Sequence, residues 1–245
     1  MANDRRLAMI WYGHSCVELQ TPGGKTVLID PWLANPRSPK AAAAVDRCDL
    51  MLVTHGHYDH LGEAVEIAAR TSPTWPCIHE LSLWLAAQLP DLGDRIIGMN
   101  KGGTVAVGDI QVTMTPADHS AGSWYEPDRV PLYLGEPAGF VIELEDGTRL
   151  YHTGDTALFS DLRLIGEIHQ PEILMLPIGG HYTMGPREAA RAVELIGSKQ
   201  VLPLHWGTFP ILAGTPAALR SELAARGLGD VRVLTPEPGE TLTFG

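Results

Sequence analysis

The 245-residue sequence predicts an α/β fold in which two mixed β-sheets pack together with helices outside. Three features carry that expectation. Short aliphatic runs of roughly 4 to 7 residues, punctuated by Gly and Pro, recur along the chain as strands do. Helical patterns follow strands in both halves. No linker or low-complexity stretch divides the halves, so residues 1–245 are expected to form one domain, long enough to bury a large core.

In the first half the strands are "LAMIWY" (7–12), "CVELQ" (16–20), "TVLID" (26–30), "LMLVT" (50–54), "RIIGMN" (95–100), "TVAV" (104–107) and "IQVTMTP" (110–116). Two helices interrupt them, "LGEAVEIAAR" (61–70) and "ELSLWLAAQL" (80–89). The second half supplies strands "GFVIELED" (139–146), "TRLYHT" (148–153), "EILMLPI" (172–178), "QVLPLH" (200–205) and "VRVLT" (231–235). Its helices are "DLRLIGEI" (161–168), "PREAARAVELI" (186–196), where Pro186 suits the first turn, and "PAALRSELAARG" (216–227), closed by Gly227. Residues 120–139 show little periodicity and many turn formers, which predicts a long surface loop of the kind that serves as a lid.

Composition narrows the function. Hydrophobic residues make up 44% and charged residues 19%, the balance of a globular chain. A formal net charge of -11 with no basic run speaks against a nucleic-acid partner, whose phosphates are met by clustered Lys and Arg. No segment approaches the roughly 18 apolar residues of a membrane span, and the N-terminus lacks a secretory pattern. Three scattered cysteines, Cys16, Cys48 and Cys77, fit neither a disulfide framework nor a thiolate metal site and suggest a cytoplasmic protein.

The chemistry starts at "THGHYDH" (54–60), where His55, His57, Asp59 and His60 crowd together behind an aliphatic strand. Neutral imidazole is the commonest side-chain metal ligand. His119, Asp155 and His205 share that context, since each lies where a predicted strand ends, and strand ends on one edge of a sheet can converge. These seven positions exceed the four or so that one tetrahedral ion uses, which points to two ions with one bridging carboxylate. Asp155 is the natural bridge, because Gly154 beside it allows a close backbone approach. His14 in "YGHSC" and Asp30 in "LIDPW" are candidates for the pocket wall or for hydrogen bonds to the ligands. His181 follows two glycines at another strand end on the same edge, where it can donate to substrate or protonate a leaving group. His152 is expected to pack within its strand, His79 and His169 to face solvent, and Trp124 and Trp206 to pack rather than to act.

"HGHYDH" has the form HxHxDH, and with His119, "TGD" and "HWGT" the chain resembles the metallo-β-lactamase superfamily. "WYGHSCVEL", "NKGGT", "YHTGDTALFSDLRLIGE", "LPIGGHYTMGP" and "LHWGTFP" resemble more closely its metal-dependent hydrolases related to L-ascorbate-6-phosphate lactonase. The resemblance implies a four-layer αββα sandwich. It implies that His55, His57 and His119 hold one metal, that Asp59, His60 and His205 hold the other, and that Asp155 bridges. His181 stands where many relatives of this branch carry a different polar residue. The resemblance also leads us to expect a homo-oligomer.

Two such dications, roughly 3.5 to 4 Å apart, share a water whose pKa they lower. That hydroxide would attack a small, anionic ester, lactone or phosphoester, with Asp59 and His181 as the catalytic residues. Two divalent ions are therefore the expected cofactors. The nitrogen-rich shell suits Zn(II), and Mn(II), Ni(II) or Fe also accept these ligands. Two other classes stay open, a di-iron oxidoreductase on the same fold and a metal-stabilised binding module without catalysis. A di-iron enzyme typically carries glutamate where this chain has His57, and a structural ion predicts a closed shell. Substrate choice is assigned to the loops around 31–45, 120–139 and 181–186.

Overall fold

The computed structural model describes residues 6–125 and 130–245. Strands β1 (Leu7–Trp11), β2 (Val17–Gln20), β3 (Thr26–Ile29) and β4 (Leu50–Leu52) open the chain. After them come helices α1 (Tyr58–Leu61) and α2 (Ala64–Thr71), strand β5 (Trp75–Ile78), helix α3 (His79–Gln88) and strands β6 (Ile96–Met99), β7 (Thr104–Val107) and β8 (Ile110–Pro116). The remaining strands are β9 (Ser123–Tyr125), β10 (Val130–Leu132), β11 (Ala138–Glu143), β12 (Arg149–His152), β13 (Ile173–Pro177), β14 (Gln200–Leu204), β15 (Arg232–Val233) and β16 (Thr241–Phe244). Helices α4 (Leu162–His169), α5 (Pro186–Ile196) and α6 (Pro216–Ala225) alternate with β12 to β15.

Beside the two-stranded sheets β5-β6 and β10-β9, one large sheet has the order β16-β1-β2-β3-β4 and the other β15-β14-β13-β12-β11-β8-β7. Both are mixed. In the larger sheet β12 through β15 run parallel, so each connection must cross over, and α4, α5 and α6 are those crossovers. Strand alternation then separates two apolar layers. Phe140, Ile142, Leu150, Met175 and Leu202 face the core shared with the smaller sheet, while Val141, Tyr151, Leu174, Leu176 and Val201 pack under α4 to α6. A register slip of one residue would exchange these faces, which is why the pairing is strongly specified. Ala64, Ile67, Leu81 and Leu85 bring α2 and α3 onto the same core as the smaller sheet. The four-layer arrangement of the metallo-β-lactamase fold results.

Strand direction gathers the site. Strands β8 and β12 are both antiparallel to β11, so they run the same way as each other and as β13 and β14. Their C-terminal ends therefore meet one edge, where crevices in α/β sheets bind ligands. His119, Asp155 and His205 follow those ends, and the parallel pair β3 and β4 delivers Asp30 and residues 54–60.

Several expectations change in detail. The helix expected over 61–70 is two pieces, because Gly62 takes φ 42° and ψ -125°, a conformation that suits glycine, and a side chain there would collide with the Trp32 backbone. The segment expected to be loop, 120–139, contains the antiparallel pair β9 and β10 and the start of β11, with residues 126–129 outside the described residues. Strands β5 and β16 add to the expected set. Helix α5 begins at Pro186 and ends on Gly197 at φ 83°, and α6 is capped by Thr215, whose hydroxyl accepts from the Ala218 N–H at 3.1 Å.

Candidate metal centre

The turn after β4 carries most of the donors. Asp30, buried and held at φ 47°, accepts from the Thr54 N–H at 2.7 Å, the Thr54 hydroxyl at 2.8 Å and His60 Nδ1 at 2.7 Å. With Nδ1 protonated toward Asp30, His60 turns Nε2 into the site as an open lone pair. Thr54 Oγ1 gives its proton to Asp30 and so receives one from His55 Nδ1 at 3.0 Å, which likewise leaves His55 Nε2 free. The ordering carboxylate behind the motif is thus Asp30, acting on two histidines at once.

His14 performs a similar service on the other side. Its Nε2 lies 3.1 Å from Asp59 Oδ2 and its Nδ1 3.0 Å from Thr208 Oγ1. Burial lowers its pKa to about 4, so the ring is neutral, donating to Asp59 and accepting from Thr208. Its carbonyl accepts from the His205 N–H at 2.9 Å, which pins the turn after β1 to the end of β14. His14, Asp30 and His205 are three of the six non-glycine residues with positive φ among those described. Such strain, of order 1–2 kcal/mol per residue, collects where a site over-determines the backbone.

Asp155 is set by a third arrangement. Gly154 has φ 65°, and a side chain on it would strike the Ala138 carbonyl. Its N–H donates to His152 Nδ1 at 3.1 Å, while His152 Nε2 donates to the Ser15 carbonyl at 3.3 Å. His152 therefore does more than pack within its strand: it holds the turn that presents Asp155.

All seven expected ligands come together. Asp155 Oδ2 lies 3.2 Å from His60 Nε2, 3.0 Å from His205 Nε2 and 3.8 Å from His119 Nε2. His55 Nε2 is 2.9 Å from His57 Nδ1, and Asp59 Oδ2 is 3.8 Å from His205 Nε2. Donors around a tetrahedral zinc with bonds of about 2.0–2.1 Å stand roughly 3.3 Å apart, so these spacings fit a shared cation. The donors fall into overlapping groups, His55, His57 and His119, then His55, His60 and Asp155, then Asp59, His60 and His205 joined by His14. His60 Nε2 and Asp155 Oδ1 are buried without a hydrogen-bond partner, and orphans of this kind call for an ion.

Electrostatics separates the two ends of the cluster. Burial holds the pKa values of His55, His57 and His119 below the usual histidine value, which leaves them as neutral ligands. At the other end burial also opposes charge on His60 and His205, but Asp155 outweighs it, raising His205 to about 9 and His60 well above its usual value. Burial opposes ionisation of Asp59 and Asp155 too, yet the hydrogen bonds and charge from the surrounding histidines hold both far below the carboxylate range. Protons thus sit where the carboxylates demand positive charge, and a dication can take their place.

A cavity of about 520 Å³ opens over His57, Asp59, His119, Asp155 and His205. Its outer wall includes Tyr58, Ser120, Ser123, Tyr182, Phe209 and Ile211. His181 is exposed at φ 59°, with its ring edge-on to Tyr182 at 4.4 Å, and Tyr182 takes the place on the cavity wall. Trp206 stacks on Trp11 at 5.6 Å under the Arg37 guanidinium, as packing requires. His79 is exposed and His169 half-buried, both away from the donors. Thr54, Thr208 and His152 are positioning groups that no local pattern marks, although all three lie inside the motif strings. Tyr182, Phe209 and Ile211 carried no polar signal.

Comparison with known proteins agrees with this geometry. The family described as "Beta-lactamase superfamily domain" matches residues 25–206. A UPF0173 metal-dependent hydrolase of Archaeoglobus fulgidus is 46% identical over 239 residues, 97% of this chain and 99% of that one. Another, from Koribacter versatilis, is 45% identical over 96% of this chain and 97% of its own length. The structure of a metallo hydrolase from the hyperthermophilic archaeon Ignicoccus hospitalis superimposes with a TM-score of 0.83 at 34% identity, covering 98% of this chain and 99% of that one. The chain belongs to the β-lactamase superfamily, as a metal-dependent hydrolase.

Proposed function

We propose that the chain is a dinuclear hydrolase of small esters, lactones or phosphoesters. The observation that carries this reading is the position of Asp155, whose Oδ2 lies within 3.8 Å of ligating nitrogens from both ends of the cluster and whose Oδ1 is buried and unpaired. His55, His57 and His119 would hold one divalent ion, zinc fitting their nitrogen donors, and Asp59, His60 and His205 the second, with Asp155 between them. Such ions lower the pKa of water and polarise the oxygen under attack.

The chain's own groups do the rest. Hydrolysis joins the oxygen of water to the acyl or phosphoryl centre, breaks the bond to the leaving oxygen and returns a proton to that oxygen. Asp59, kept ionised and accepting from His14 through Oδ2, lines the cavity, where its carboxylate is placed to accept a hydrogen bond from the attacking water. Asp30, through His60 and Thr54, fixes which imidazole nitrogens face the site. His181 stands beside the opening, at the turn that presents Tyr182, and acts on the leaving group only if its ring swings inward.

Elemental analysis of the purified protein, with turnover of lactone, ester and phosphodiester substrates before and after chelation, tests this directly. Two ions per chain and activity lost with them are expected. One ion per chain, or metal-dependent redox turnover without hydrolysis, would refute the proposal.

A further inference from the structure

Resting on that hydrolase reading, the geometry points to the substrate class: a neutral carboxylic ester or lactone bearing an aliphatic or aromatic group, bound by a preformed apolar rim over the donors. Tyr58 and Tyr182 are each 59% exposed and Ile211 is 47% exposed, and all three stand at the mouth of the same cavity. Among the described residues only seven large hydrophobic side chains are this exposed, so three at one opening form a patch rather than a scatter. Phe209 completes the wall.

The rim is braced before any ligand arrives. The Trp32 ring meets Tyr58 edge-on at 5.6 Å and stacks over Phe209 at 6.0 Å, and His14 abuts both Trp32 and Phe209. A wall held in this way binds without a large ordering cost, as substrate pockets commonly do. Its lining also includes Ser120 and Ser123, and its fixed charges are the carboxylates of Asp59 and Asp155. Among the described residues no lysine or arginine lines the cavity. A sugar phosphate or other polyanion would meet an aromatic wall in place of the guanidinium and ammonium groups that usually hold phosphate. The volume of about 520 Å³ accommodates a medium-length acyl chain or a single ring system beside the scissile bond. The anionic substrate expected from the sequence gives way, on this wall, to a neutral one.

The test uses the metal-loaded full chain. 4-Nitrophenyl esters from acetate to octanoate are compared with bis(4-nitrophenyl) phosphate, and methyl alkyl ketones of matching length, which hydrolysis cannot cleave, are titrated calorimetrically. Each added methylene is expected to raise kcat/KM and ketone affinity about two- to fourfold until the cavity is full. Tyr182→Ala and Ile211→Ala, both at exposed positions that the fold tolerates, should flatten that dependence while metal content stays the same. Ile168→Ala, on the exposed side of α4, should leave the slope intact. A chain-length series that is flat in the unsubstituted protein, or a phosphodiester preferred over every ester, overturns the inference. Ketone affinity that climbs with length while no ester is cleaved would keep the apolar pocket and sink the hydrolase reading, so the two failures are separable.

Discussion

Asp30→Asn isolates what the buried carboxylate behind the histidine motif contributes. Asparagine has nearly the same shape and tolerates the positive φ of this position, so the backbone need not move. If the amide oxygen keeps the Thr54 N–H, the new NH₂ group faces His60 Nδ1, which today donates to Asp30 at 2.7 Å. Two donors cannot share that contact. His60 relieves the conflict by losing the Nδ1 proton and carrying one on Nε2, the atom that lies 3.2 Å from Asp155 and is needed for coordination. Loss of a hydrogen bond to a charged acceptor costs about 1.5–3 kcal/mol, which for a chain of this size lowers the Tm of the metal-free protein by roughly 5–10 °C. Holding the ring in the wrong tautomer should weaken the second ion about 10- to 100-fold. Titration against a competing chelator reads that affinity, and retention of both ions within twofold of the unsubstituted protein would refute the tautomer argument.

Chelation should abolish turnover and lower Tm, since it leaves Asp155 Oδ1 buried without a partner and forces protons back onto buried imidazoles; differential scanning calorimetry with and without added metal checks this. The metal-free and loaded forms should also respond oppositely to pH. His205 is raised from 6.5 to about 9, so its contribution is complete below pH 6.5 and fades as pH rises through about 9, on the order of 3 kcal/mol, whereas metal affinity grows over the same window as the proton leaves. A metal-free Tm that does not fall between pH 6.5 and 9 would contradict the ion pair with Asp155. Gly154→Ala should reduce soluble yield and Tm sharply, because its methyl group meets the Ala138 carbonyl in a conformation that already disfavours alanine; a normal Tm would show that the Asp155 turn yields without cost. His181→Ala should leave metal content intact and change kcat less than about threefold, and a fall of about a hundredfold or more would restore it as the leaving-group acid.

The donors were legible in the sequence because each combines a rare residue type with a position at the end of an aliphatic run. Both signals are local: "LMLVT" ends at the motif, "IQVTMTP" leads to His119, and "QVLPLH" ends in His205. What could not be read there depends on distant partners. Strand β16 alternates between exposed and half-buried residues and exists because Phe244 pairs with Leu7 across nearly the whole chain. Strand β5 contains Pro76, which signals a turn locally, yet parallel pairing with β6 holds it extended. The split between α1 and α2 follows from a glycine pressed against Trp32, a contact no helical periodicity reports. The roles of His14, Asp30 and His152 likewise rest on hydrogen bonds spanning 30 or more residues, from His60 to Asp30 and from His152 to Ser15. The apolar rim was invisible because Tyr58, Tyr182, Phe209 and Ile211 become a wall only when three separate segments of the chain meet.

Charge placement connects this chemistry to stability. Asp30 and Asp155 are buried and Asp59 half-buried within one small volume, and among the described residues their ionic partners are histidines alone. Unpaired, each buried carboxylate would carry a desolvation penalty of several kcal/mol. A lysine or arginine could have neutralised them and would have filled the cavity in doing so. Imidazoles neutralise them only while protonated, and a protonated ring is no ligand. The arrangement is therefore least costly when dications replace those protons, since a cation satisfies the carboxylates and lets His60 and His205 return to neutral donors at the same time. An overall charge of -11 adds to the same preference, because the acidic surroundings favour cation uptake at the strand ends. The residues that make the centre reactive are thus the ones that make the metal-free fold expensive, and activity and thermal stability should be lost together as the ions are withdrawn.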